Sequence, residues 1–154
     1  MPAAISKACP FGIKKGFTLI ELLIVITIIG ILIALSVFGL QGARESARDA
    51  KRKSDLEAIR SGIETYKADC NTYPLTLPSS GSPLIGSGVT TNCPTTNTYM
   101  SAIPADPTSG RSYFYSSTGV TYIACASLEN SSGAVPAGCG SCGSAACNYK
   151  VINP

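Results

Sequence analysis

The hydrophobic and polar positions of this chain fall into three successive patterns. Residues 1–16 are mostly polar, with Lys7, Lys14 and Lys15 and no acid. From Phe17 to Leu40, 24 residues carry a single ionisable side chain, Glu21. Leu56, Ile59, Ile63, Tyr66 and Cys70 then recur at spacings of three and four, which predicts one apolar face of an α-helix. From Asn71 to Pro154 the chain is dominated by Ser, Thr, Gly, Asn, Pro and Tyr, with only Asp106, Arg111, Glu129 and Lys150 charged.

The apolar run is too continuous to be one stripe of a soluble helix. It is long enough to cross a bilayer, which takes about 20 helical residues. Its β-branched residues do not argue for a strand, because strands rarely exceed about 10 residues. No proline falls between Pro10 and Pro74, so a single helix is expected from about Thr18 to about Ala68. Its second half holds seven basic residues between Arg44 and Lys67 and five acids, Glu45, Asp49, Asp55, Glu57 and Glu64. Opposite charges stand three or four apart, as on a solvated helix face, and Arg44–Lys53 is expected to form a collar facing lipid headgroups. Glu21 is the exception within the apolar segment. An unpaired carboxylate there costs about 2 kcal/mol or more, so it either reaches water or meets a cationic partner inside an assembly.

Strand signals are confined to the third part. Ser112–Ser116 and Val120–Ala126 are β-prone and flank Ser117-Thr118-Gly119, a hairpin signal, and Tyr149–Ile152 could add a third strand. Residues 75–100 read as loop, and Asp106–Gly110 as a turn. Six cysteines follow the helix pattern: Cys70, Cys93, Cys125, Cys139, Cys142 and Cys147. An even set in such a segment reads as a disulfide framework formed outside the cytoplasm. Cys70 with Cys93 is the expected first pair, and the other four are expected to pair among themselves. The competing reading is a zinc site at Cys139-x2-Cys142-x4-Cys147 with Cys125.

Composition narrows the chemistry. With 45% apolar and 14% charged residues the chain lacks the signature of disorder. The absence of His removes the usual general base and the commonest metal ligand, so no catalytic residues are assigned. A net charge of +3 does not suggest nucleic acid as a partner. Ala8-Cys9 is not a lipoprotein site, because Ser6-Lys7 precede it instead of an apolar stretch. Asn130-Ser131-Ser132 matches the N-glycosylation pattern, a short match that carries little weight.

The segment Lys14-Lys15-Gly16-Phe17-Thr18-Leu19-Ile20-Glu21-Leu22-Leu23-Ile24-Val25-Ile26 resembles the processing site of type IV prepilins and the related pseudopilins of type II secretion. Weaker likeness runs through Asp55–Ile59 and Tyr66–Asp69 to Tyr73-Pro74. The resemblance implies cleavage by a prepilin peptidase between Gly16 and Phe17 and methylation of the new Phe17 amine. It implies that Glu21 pairs with the Phe17 amine of a neighbouring subunit while the apolar helices bundle. Its partners would be identical or related pilin subunits, the peptidase, an assembly platform with its ATPase, and membrane lipid. Many pilins carry a proline beyond the position of Gly30; here Phe38-Gly39 stands in that region, and Gly39 and Gly42 are where the helix would soften. Major pseudopilins hold calcium in the head, and Asp106 is where a similar ion would be sought. With only Asp106 and Glu129 acidic after Asp69, no metal or cofactor is assigned.

The expected fold is α+β, a long helix on a small disulfide-bonded antiparallel sheet. Its parts are a leader over 1–16, a helix over 17–70 that spans the membrane over about 17–40, and a head outside the cytoplasm over 71–154. Arg44, Arg48, Lys51, Arg52 and Lys53 outnumber the three leader lysines, which by the positive-inside count would turn the head inward. The leader and the cysteines point the other way and take precedence. The expected function is structural, as a subunit of a pilus or pseudopilus. The alternatives are a membrane-anchored binding module for adhesion or DNA uptake, with Tyr113 and Tyr115 as stacking residues, and an anchored thiol oxidoreductase using Cys139 and Cys142.

Overall fold

A computed structural model describes residues 16–154 except Ser132. The leader residues 1–15, Cys9 among them, and the last residue of the Asn130–Ser132 pattern lie outside the described residues. Helix α1 runs from Leu19 to Cys70. It stops where Asn71 turns left-handed at φ 59° and its amide donates to the Lys67 carbonyl at 2.8 Å. Asparagine tolerates that conformation, and the bond satisfies one of the carbonyls that a helix end leaves free. Gly30, Gly39 and Gly42 all lie inside the helix without interrupting it.

The chain divides into two compact units, Met1–Leu40 and Gln41–Pro154. In the described part of the first, the large apolar side chains point outward; Leu19 is 83% and Ile31 62% exposed. This is a helix long and apolar enough to cross a membrane, and among the described residues its large apolar side chains stand exposed.

The second unit has a core. Leu56, Ile59, Ile63, Tyr66 and Cys70, the face predicted from spacing, are buried with Tyr73, Leu84, Ile103, Tyr122, Ala124, Ala126 and Val151. Strands β3 (Phe114–Ser117), β4 (Tyr122–Ala126) and β7 (Tyr149–Ile152) form an antiparallel sheet in the order β3-β4-β7. Strand β4 is central, and its alternation divides the head: Tyr122, Ala124 and Ala126 join the helix-side core. Cys125 points the other way, into a second cluster with Cys142, Cys147, Phe114 and Cys139. Gly140 permits that cluster, because a Cβ there would come within 2.8 Å of the Phe114 ring.

Two expectations need correction. The first β-strand of the hairpin begins at Phe114 instead of Ser112, because the Ser112 amide is taken by the Cys142 carbonyl at 3.2 Å. Residues 75–100 are not all loop. Strand β1 (Leu84–Ile85) pairs with β2 (Thr98–Met100), and the Cys70–Cys93 disulfide ties the intervening segment to the end of α1. Leu84, 3% exposed, has an apolar place to go that its Pro- and Ser-rich surroundings hid. A small hairpin, β5 (Ser141–Cys142) with β6 (Ala145–Ala146), completes the set.

Ile59 has no exposed surface, whereas Val120 is 72% exposed. Ile59→Ala is expected to lower the stability of the head by about 2–5 kcal/mol in urea unfolding. Val120→Ala should stay within about 0.5 kcal/mol.

Candidate functional sites

In the first unit, helix α1 begins on a capping box. Thr18 Oγ1 accepts from the Glu21 amide at 3.3 Å. Glu21 Oε2 accepts in return from the Thr18 amide at 2.8 Å and the Thr18 hydroxyl at 2.7 Å. The pattern Thr-x-x-Glu before an apolar run signals this arrangement, a local partner for Glu21 beside the water or intersubunit amine that its charge alone suggests. Phe17 stands just outside the helix, 85% exposed. Gly16 and Phe17 thus precede the helix, and Glu21 lies in its first turn.

In the second unit the notable site is an ion cluster. Arg52 is fully buried, and each of its five N–H groups finds an acceptor. Nε and Nη2 bind the Asp106 carboxylate side-on at 2.9 and 3.0 Å, and Nη2 also donates to Thr108 Oγ1 at 2.8 Å. Nη1 donates to Asp49 Oδ1 and to Glu129 Oε1, both at 2.8 Å. Arg48 grips Glu129 through Nε at 2.7 Å and through Nη2. Arg111 Nη1 lies 3.9 Å from the same carboxylate. Asp49 also accepts the backbone amides of Glu129 and Asn130, at 2.8 and 2.9 Å. Three guanidinium groups therefore meet three carboxylates.

The cluster overturns the expectation that Arg44–Lys53 is wholly a solvated collar. Asp49, Arg52 and Asp55 are buried, and only Arg44, Lys51 and Lys53 within that span remain exposed cations. A signal was available: Asp49 and Arg52 continue the alternating spacing of Leu56, Ile59, Ile63, Tyr66 and Cys70 toward the N-terminus. Their charge argued against burial, and the partners that reverse the argument lie more than 50 residues further along the chain.

The electrostatics follow from the contacts. The hydrogen bond from Arg48, joined by that from Arg52, outweighs burial and holds Glu129 down to about 2 from an ordinary 4.5. Burial alone would raise Asp49, but the Asn130 and Glu129 amides and Arg52 bring it below its usual value. The bond to Asp106 leads in raising Arg52 against the opposing cost of burial. Beside the cluster, burial and the hydrogen bond it donates to Asp55 at 2.7 Å push the Tyr113 hydroxyl up.

The cysteines pair as Cys70–Cys93, Cys125–Cys139 and Cys142–Cys147, with Cα separations of 4.9, 6.0 and 5.2 Å. This removes the thiolates that the zinc alternative required. It also parts Cys139 from Cys142, so the C-x-x-C sequence does not close on itself as the thiol oxidoreductase alternative needs. The residues considered for stacking on nucleic acid are engaged as well. The Tyr115 hydroxyl donates to the Pro74 carbonyl at 2.8 Å, and that of Tyr113 to Asp55. Of the two basic side chains after Lys67, Arg111 belongs to the cluster and Lys150 donates to the Ala137 carbonyl at 3.1 Å.

Comparison with known proteins gives two family matches. Residues 13–37 match the prokaryotic N-terminal methylation motif. Residues 40–128, more than half of the chain, match the type II secretion system protein G family. Among curated proteins the chain is similar to the type II secretion system core protein G of Aeromonas hydrophila, 44% identical over 63 residues, 41% of this chain and 44% of the relative. The corresponding proteins of Dickeya chrysanthemi (41% identical over 68 residues, 44% of each chain) and Escherichia coli strain K12 (43% over 63 residues, 41% and 43%) are similar to it in the same way. The matched stretch spans less than half the length of these relatives. No solved structure matches the chain significantly.

The depressed Glu129 sets an acid limit. Its folded value lies below its unfolded one, so its contribution is complete above about pH 4.5 and is lost as pH falls toward 2. Thermal unfolding followed against pH should show a plateau near neutrality and a decline over that window. Glu129→Gln should lower the plateau and make the decline shallower, with Asp49 supplying the remainder.

Proposed function

The chain belongs to the type II secretion system protein G family, and from that premise we propose that its mature form, Phe17–Pro154, is a structural subunit of a pseudopilus. The observation that carries this reading is the methylation motif over residues 13–37, which straddles the Gly16–Phe17 bond and leads into a helix whose large apolar side chains are exposed among the described residues. A prepilin peptidase cuts after Gly16 and methylates the Phe17 amine. The mature subunit waits in the cytoplasmic membrane, where lipid covers the Leu19–Leu40 surface. On assembly, related subunits replace the lipid. The driving force between apolar helices in lipid is packing and polar pairing, because the tails are as apolar as the side chains. A buried Glu21 then contributes register: it is tolerated only where a neighbour's Phe17 amine meets it.

The head, within 71–154, lies outside the cytoplasm, where its three disulfides form and persist. Its partners are identical or related subunits and, through the membrane, the assembly platform and its ATPase. The role is structural: the six cysteines from Cys70 onward are paired, and the cluster carboxylates are bound by arginines.

Intact mass of the protein extracted from the membranes of peptidase-competent cells, without reductant, tests the reading. The expected product lacks residues 1–16, gains one methyl group and is six hydrogens lighter than the reduced chain, two for each of three disulfides. An uncleaved chain from such cells would sink the pseudopilin reading.

A further inference from the structure

The likeness to major pseudopilins implies a calcium ion bound in the head, and the carboxylates of the ion cluster, Asp49, Asp106 and Glu129, do not fit one. A calcium site gathers six to eight oxygens with lone pairs free for the ion. Both oxygens of Asp106 are bound by Arg52, and Oδ1 also accepts the Thr108 amide at 2.8 Å. Both oxygens of Glu129 are held by Arg48, and Oε1 also accepts from Arg52. Asp49 spends one oxygen on Arg52 and the Glu129 amide and the other on the Asn130 amide. A divalent cation entering this cluster would have to displace the Arg52 guanidinium, which is fully buried and keeps all five of its donors engaged.

We propose that Arg52 is the head's own cation. Its guanidinium performs, through a covalent tether to α1, the cross-linking that a bound calcium ion performs elsewhere, and the head folds and stays folded without any divalent metal. The guanidinium draws three segments onto the helix: the Asp106–Thr108 turn, the Glu129–Asn130 segment after β4, and, on the helix itself, Asp49. Two features make it the only side chain suited to this work. It is charged at every accessible pH, and its planar fork reaches a carboxylate side-on while leaving further N–H groups for other acceptors. Lysine, with three donors on a point charge, could not satisfy the same set. The neutrality of the cluster, three guanidinium groups against three carboxylates, leaves no net negative field to attract a second cation.

The inference does not depend on processing or assembly, so the mass measurement above can fail while this one stands. The test uses the full chain in detergent micelles, unfolded by heat and followed by near-ultraviolet circular dichroism of its seven tyrosines. Three conditions are compared: untreated, with excess EDTA, and with millimolar calcium chloride. Calorimetric titration with calcium chloride accompanies them. The expected result is one midpoint in all three conditions and no stoichiometric heat of binding. Arg52→Gln should lower the midpoint by on the order of 10 °C, since removing one partner of a buried ion pair leaves the others uncompensated. Arg52→Lys should fall between the two. A wild-type midpoint lowered by EDTA, or a stoichiometric calcium site, would overturn the proposal. So would an Arg52→Gln protein as stable as the wild type. If Arg52→Gln does not fold, the wild-type comparison and the titration decide alone.

Discussion

The contact on which the head most depends is the side-on pairing of the Arg52 guanidinium with the Asp106 carboxylate. A buried cation without partners costs several kcal/mol, and the cost is offset only when geometry and hydrogen bonding are both complete. Here completeness requires segments distant in sequence to arrive together: the Asp106–Thr108 turn before β3 and the segment carrying Glu129 after β4. If either is absent, Arg52 must leave the interior or remain charged and unpaired within it. The cluster therefore favours one arrangement of these loops over others of similar apolar burial. Its role is specificity at least as much as stability, because a well-packed apolar substitute could match its net free energy.

The rest of the head meets the same difficulty by other means. Its apolar core is modest: five helix residues, Leu56, Ile59, Ile63, Tyr66 and Cys70, with strand residues no larger than Tyr122. The long segment from Asn71 to Ala105 carries no charge and few large apolar side chains. Tyrosines compensate by acting at both ends. Tyr73 packs edge-on against Tyr122, with ring centres 4.7 Å apart, while its hydroxyl donates to Glu64. Tyr66 and Tyr99 make a similar pair beside Cys70. The disulfides then reduce the freedom of the unfolded chain where packing is thinnest, closing loops on both sides of β4.

How far the sequence could be read follows from the range of the interactions. The helix was legible because its signals are local: apolar continuity, spacing of three and four, and the absence of proline. The three-stranded sheet was nearly so, since β-prone residues and a glycine turn lie side by side. Strands β1 and β2 were hidden because their pairing depends on the fold of an intervening loop that is itself held by the Cys70–Cys93 bond. The ion cluster was hidden for a stronger reason. Charge predicts exposure unless enough partners are known, and beyond Asp49 on the same helix the carboxylates that meet Arg52 lie 54 and 77 residues away. Read one at a time, Arg52 gave part of a collar, and Asp106 a turn and a candidate metal ligand. Only their convergence gives a single site.

That convergence bears on how stability depends on surroundings. An ion bound from solution stabilises a fold by an amount that grows with its concentration and vanishes when it is withdrawn. A guanidinium attached to the backbone contributes the same at every external concentration, and the cystines are likewise part of the chain once formed. The head thus depends on the redox state under which it folds and on a pH well above the range in which Glu129 protonates, but not on the supply of a metal. For a subunit whose head lies outside the cytoplasm, where ionic composition is set by the medium, that exchange has a physical logic: it trades an adjustable constraint for a permanent one. The cost is that the constraint must be assembled from the chain's own residues, which is why a fully buried arginine stands in the middle of a helix where periodicity alone would call for an apolar side chain.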